Sequence, residues 1–131
     1  MPAPDAGRIH MRAVMAELPR LTGWVDERVA ALGLDDRQSY ALRLCIEELA
    51  GNVLLHGRAQ TLRVAVEAPP LDLLIEDDGP AFDPRGVAEP ALPASLDDAQ
   101  AGGLGLMLTR RWSRKLDYAR AGGWNQVRVW F

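Results

Sequence analysis

Glu48 and Asn52 stand four residues apart in the run IEELAGNVLLH, residues 46–56. On a helix that spacing sets one above the other on the same flank. A carboxylate can take the proton of an attacking hydroxyl. An amide oxygen can serve Mg²⁺ as a hard, neutral ligand. The pair therefore suits a general base beside a metal ligand, although the spacing alone fits two ordinary surface residues better; Glu47 reads as the solvated neighbour. A second group begins at Asp77, which closes the apolar run LDLLIED and leads into Asp78-Gly79-Pro80-Ala81-Phe82-Asp83-Pro84. A carboxylate at a strand end can accept from an exocyclic amine, with Gly79 letting a planar ring or a water approach the backbone. The same residues also make an ordinary tight turn. The third group, Gly102-Gly103-Leu104-Gly105, precedes a predicted helix. Free N–H groups at a helix start suit an anion, and a flexible loop end would use the same glycines. No Lys-Ser or Lys-Thr follows them, so this is not a P-loop. It follows a Pro-rich stretch rather than a strand, unlike a dinucleotide-binding turn.

These groups need elements to hold them. The segment 8–16 alternates imperfectly and predicts a strand. Leu18, Leu21, Val25, Val29 and Leu32 recur at spacings of three and four, which predicts a helix over 18–32 closed by Gly33. Asp35 suits the N-cap of a second helix reaching His56, with Gly57 as its stop. On that helix Leu42, Ile46, Leu49 and Val53 form the core stripe. Glu48 and Asn52 lie about 100° from its centre, beside Ala41, Leu44 and Cys45. Gly51 costs about 1 kcal/mol against Ala in mid-helix, which leads us to expect close packing on its flank. Strands are predicted over 61–68, 71–77, 115–120 and 126–131, and a short helix over 105–113. Between them, 80–101 is rich in Pro, Ala and Asp and has no period. A stretch of that length is usually functional or disordered. The order β-α-α-β-β-loop-α-β-β, with consecutive strands forming hairpins, predicts an α+β fold. In it a mostly antiparallel sheet carries its helices on one face, a two-layer α/β sandwich.

Length and composition fit one soluble domain over residues 1–131, with a loose start at 1–7. Of the 131 residues 48% are apolar and 25% charged. No apolar run reaches the roughly 18–20 residues that span a bilayer. The single cysteine, Cys45, excludes an internal disulfide and a multi-cysteine zinc site. A cytoplasmic protein that touches neither membrane nor nucleic acid is the expectation, given a net charge of −3. That total is a split: residues 1–100 hold nine Arg against 17 Asp and Glu, and residues 101–131 hold five Arg and one Lys against one Asp.

In their order along the chain, the three groups resemble the layout of the GHKL ATPases. They are most similar to the small anti-sigma regulatory factors, the serine-protein kinases of partner-switching systems. Residues 46–57 look like that family's N-box, 77–84 like its first glycine box, and 101–106 like its second. The ending, Leu116-Asp117-Tyr118 to Gly122-Gly123-Trp124-Asn125-Gln126-Val127-Arg128-Val129, resembles its closing hairpin. The likeness covers residues 8–131. It implies a histidine-kinase-like ATPase domain that takes ATP and Mg²⁺, with Asn52 as the metal ligand and Glu48 as the base that activates a serine hydroxyl or a water. Asp77 would accept from the adenine 6-amino group, and Gly79 would shape that pocket. Gly103 and Gly105 would cradle phosphates, Gly102 would give that loop freedom, and 80–101 would be the lid. Arg110, Arg111 and Arg114 suit a solvated or partner-binding face, with Arg110 the one to help neutralise the terminal phosphate. The implied partners are a STAS-type anti-sigma antagonist, a sigma factor and a second copy of the chain. Two positions depart from the family's pattern: its first box usually reads DxGxG, where this chain has Ala81, and its closing hairpin often has Thr where Asn125 stands. An intact Glu48/Asn52 pair favours a kinase. Ala81 and the acidic, Pro-rich lid favour an ATP-binding module that sequesters a partner with little or no transfer.

Overall fold

A computed structural model describes residues 7–86 and 109–131. Two helices and a five-stranded sheet make up its body. Strand β1 (Arg8–Arg12) leads to helix α1 (Leu18–Leu32) and helix α2 (Asp36–His56). Then come β2 (Thr61–Glu67), β3 (Asp72–Asp77), β4 (Lys115–Ala121) and β5 (Trp124–Trp130). The sheet order is β1-β2-β3-β5-β4, and every neighbouring pair is antiparallel. This is the α+β architecture expected from the sequence, with helices and an antiparallel sheet. The loose N-terminus expected at 1–7 falls outside the described residues except for Gly7. So do residues 87–101 of the expected lid and the glycines at 102, 103 and 105. Of the helix expected at 105–113, the described residues 109–112 are helical. Among the described residues no helix is long and apolar enough to cross a membrane.

Local chemistry sets the boundaries. Asp35 caps α2 as a capping box: its carboxylate accepts from the Gln38 N–H at 2.7 Å, and the Gln38 side chain accepts from the Asp35 N–H at 3.2 Å. Strand β1 is shorter than the predicted 8–16. The Val14 N–H turns back to the Arg12 carbonyl, and a single 3-10 turn follows at Met15–Glu17. Strand β5 starts two residues earlier than predicted. Gly122 and Gly123, both at positive φ, make a two-residue turn that lets Trp124 pair with Ala121 at once.

The core lies between the two helices and one face of the sheet. Leu42, Ile46 and Leu49 of α2 meet Leu62, Val64 and Val66 of β2, Leu73 and Ile75 of β3, and Val127 and Val129 of β5. Each large apolar side chain so buried contributes about 1.5–3 kcal/mol. The buried face of α2 is wider than the predicted stripe. Ala41, Cys45 and Ala50 are buried too, while Val53 is only partly covered and Leu54 takes its place. Small side chains let neighbouring elements approach on both flanks, and periodicity of large residues alone does not reveal this. The same alternation places Asp77 and Asn125 on the inner face, directly opposite each other in the β3–β5 pairing.

Candidate functional site

Glu48 and Asn52 occupy the flank of α2 that continues from buried Ala41 and Cys45, and both are partly exposed. Among the described residues neither side chain makes a hydrogen bond, so both are available to a ligand. Burial pushes the Glu48 carboxyl above its ordinary value, and the charge of Glu47 adds to the rise. A carboxylate held in this way is a better proton acceptor near neutral pH than an ordinary glutamate. The close packing expected around Gly51 is absent: among the described residues nothing lies within 4 Å of where its Cβ would be. Among the described residues the glycine leaves open space beside the Glu48–Asn52 flank.

The turn after β3 is fastened to the far end of this helix. A Cβ on Gly79 would stand 2.2 Å from the Gly57 carbonyl oxygen and 2.9 Å from Asp77 Oδ1. The turn therefore packs directly on the residue that closes α2, five residues or about 7.5 Å of helix rise beyond Asn52. Asp77 is buried, at 7% exposure. Its Oδ1 accepts from the Gly79 N–H at 2.9 Å and from Asn125 Nδ2 at 3.1 Å. Asp78 faces the other way and accepts the backbone N–H groups of Gln60 at 2.8 Å and Thr61 at 2.9 Å. Those bonds, the Thr61 one foremost, hold the Asp78 carboxyl below the usual aspartate value. Its folded pKa is depressed, so its stabilising effect is present above the unfolded value and is lost as pH falls through the folded one. Asp78→Asn is expected to melt below the wild type at pH 7, and the gap should close as the pH drops past the ordinary aspartate range. Melting curves from pH 7 down to pH 3 check this; a gap that stays constant with pH would count against it.

Sequence reasoning left Asn125 without a role, and the structure makes it a centre of the site. It is 3% exposed and bonds Asp77, the Pro80 carbonyl at 2.8 Å, the Phe82 N–H at 3.2 Å, the Tyr118 hydroxyl at 2.5 Å and Arg120 at 3.0 Å. Arg120 also donates to the Gly79 carbonyl at 2.9 Å. The sequence offered two signals, neither of which assigned a role: Asn125 sits just past a hairpin turn, where an Asn usually needs no further explanation, and near a position at which the resembled family often has Thr.

The helical segment 109–112 runs antiparallel to α2. Thr109 lies beside Cys45, and the Trp112 ring meets Tyr40 edge-on at 4.8 Å, with the Arg37 guanidinium 4.9 Å from its centre. Cys45 is packing: burial pushes its thiol up to about 12, a rise that the Thr109 hydroxyl partly offsets. Arg110 donates to the Pro84 carbonyl at 3.4 Å and the Arg85 carbonyl at 3.2 Å. Arg85 in turn bridges Asp83 at 2.9 Å and Asp117 at 2.8 Å. Arg110 thus helps hold the chain just beyond the Asp77–Gly79 turn. On the outer face of the sheet, Trp130 lies between Lys115 and Arg128, and Arg63 stacks 3.5 Å over Trp124.

An antiparallel sheet backed by helices, a Glu-x-x-x-Asn flank and a buried carboxylate on a glycine turn together define an ATPase of the GHKL type. The sequence matches the histidine kinase-like ATPase domain across residues 11–131, and the chain belongs to that family. It is 37% identical over 106 residues to the serine/threonine-protein kinase BtrW of Bordetella bronchiseptica, an alignment covering 73% of this chain and 75% of that protein. The chain is accordingly a histidine kinase-like ATPase domain of the GHKL type.

Proposed function

We propose that this protein is an ATP-dependent serine kinase of a cytoplasmic partner-switching system, which phosphorylates a STAS-type anti-sigma antagonist and alternately binds a sigma factor. The observation that carries this reading is the packing of the Gly79 turn on the end of α2. It ties a buried carboxylate suited to a base amine to a helix flank whose Glu and Asn make no hydrogen bond among the described residues. ATP fits at Asp77, whose buried carboxylate keeps one oxygen without a partner among the described residues. Mg²⁺ fits at Asn52: one amide oxygen is enough for an ion that takes its other ligands from phosphates and water. Among the described residues no cluster of three or more His, Cys, Asp or Glu side chains offers a cage made of protein alone. When bound, the metal neutralises charge on the phosphates.

In this reading Asp77 and Gly79 seat the adenine and Asn52 fixes the metal. Glu48 takes the proton of the serine hydroxyl as the serine oxygen bonds to the γ-phosphorus and the bond to the ADP oxygen breaks. Gly103 and Gly105 cradle the phosphates, Gly102 gives their loop freedom, and Arg110 helps to neutralise the terminal phosphate. The working form is a homodimer. Transfer of ³²P from ATP to a STAS-type protein encoded beside this chain tests the proposal. Label on a serine of that partner is the expected result. ATP binding and partner binding with no label would instead establish a sequestering module, the reading that Ala81 favours.

A further inference from the structure

Helix α2 carries a stripe that lies outside the core. At 100° per residue Tyr40, Leu44, Glu47 and Gly51 fall within about 60° of one another, along about 16 Å of helix. Tyr40 is 54% exposed, Glu47 is exposed and Leu44 is half-buried. Among the described residues Leu44 does not pack against the core cluster, and no cation pairs with Glu47.

Gly51 is the residue of this stripe that needs explaining. Its φ is not positive, so its backbone suits any residue. A methyl there would meet nothing within 4 Å among the described residues. Yet glycine costs a helix interior about 1 kcal/mol against alanine. Neither backbone conformation nor packing among the described residues accounts for it. Bare helix backbone does serve a neighbour that approaches closely from outside. The bare patch also lies beside the proposed base. Gly51 stands three residues past Glu48, which makes the two neighbours on the helix surface. A chain that brings a serine hydroxyl to Glu48 therefore passes over or beside Gly51.

We propose that this stripe seats the phosphoacceptor segment of the protein substrate: the segment's backbone lies against Gly51, an apolar side chain meets Tyr40 and Leu44, and a cation near the serine answers Glu47. The inference rests on the kinase reading, in which Glu48 meets the serine. Continuity with Glu48 and the charge of Glu47 point to this occupant.

Transfer of ³²P to the STAS-type protein encoded beside this chain, with KM for that protein and kcat measured separately, tests the proposal. Alanine and leucine are both good helix formers, so Gly51→Ala and Gly51→Leu should keep the fold by circular dichroism. Each should hold ATP affinity, by calorimetry, within about twofold of the wild type. KM for the protein substrate should rise about tenfold in Gly51→Ala, the scale of an overpacked contact, and further in Gly51→Leu. Tyr40→Ala and Glu47→Lys should each raise the same KM by about three- to tenfold. A wild type that transfers no label overturns the proposed kinase, and this inference falls with it. A wild type that transfers label while Gly51→Ala keeps its KM within about twofold overturns the inference alone. An ATP affinity about tenfold lower in Gly51→Ala also overturns it, since the glycine would then belong to the nucleotide site. So does a wild-type dimer that Gly51→Ala turns into a monomer by sedimentation, which would make the stripe a contact between copies of the chain.

Discussion

Glu48→Gln should abolish phosphoryl transfer while leaving the fold and nucleotide binding in place. Glutamine matches glutamate in shape but cannot take a proton from serine, and a positioned general base contributes about 10²–10⁴-fold to rate. The same substitution should not weaken the protein. Burial, then the neighbouring charge of Glu47, raises the Glu48 carboxyl. A raised carboxyl in the folded state stabilises below the unfolded pKa, and that advantage is lost as pH rises through the folded one. At neutral pH the ionised side chain therefore opposes folding, and the glutamine variant should melt at the wild-type temperature or above. Transfer by the wild type should fall as pH drops through the raised value, at a higher pH than an ordinary glutamate would give. Label transfer and thermal melts on the same preparations check both halves. A variant that keeps more than a tenth of the wild-type rate would remove Glu48 from the role of base.

Gly79→Ala should damage stability and nucleotide binding together. The added methyl would stand 2.2 Å from the Gly57 carbonyl oxygen and 2.9 Å from Asp77 Oδ1. Neither neighbour can yield alone. Gly57 closes α2 through its N–H to the Val53 carbonyl, and Asp77 is held by Asn125. Either the helix end or the carboxylate must move, at a cost of about 1–3 kcal/mol, as for overpacked interiors. Melting should fall by several degrees, and ATP affinity by at least tenfold. Gly51→Ala is the contrast. Among the described residues its methyl meets nothing within 4 Å, and it removes a glycine from a helix interior worth up to about 1 kcal/mol. Gly51→Ala should melt higher than the wild type. A Gly79→Ala protein as stable as the wild type would mean that the turn does not pack on α2 as described.

Much of the architecture was legible from local rules. The period of Leu18 to Leu32 and the Asp35 cap placed both helices, and alternation placed the hairpins, because these signals need no knowledge of distant neighbours. Glu48 and Asn52 could be set on one flank from helix geometry, and Asp77 and Gly79 at a strand end from the run before them. Other features depend on which strands pair. Asn125 meets Asp77 only because β5, last in sequence, inserts between β3 and β4, which puts the two residues opposite each other across 48 positions of chain. Asp78 looked like another turn residue until β2 lay beside β3 and offered two backbone donors. Gly51 misled in the opposite sense, since a mid-helix glycine is as consistent with open space as with close packing.

On the proposed function, the Asp77 turn and the Glu48–Asn52 flank form one ATP·Mg²⁺ site. Isothermal titration of the wild type and Asp77→Ala with ATP, with and without Mg²⁺, tests it most directly. The wild type should bind one ATP per chain, more tightly with Mg²⁺, and Asp77→Ala should weaken binding at least tenfold. Equal ATP affinity in the two proteins would mean that Asp77 does not hold the nucleotide.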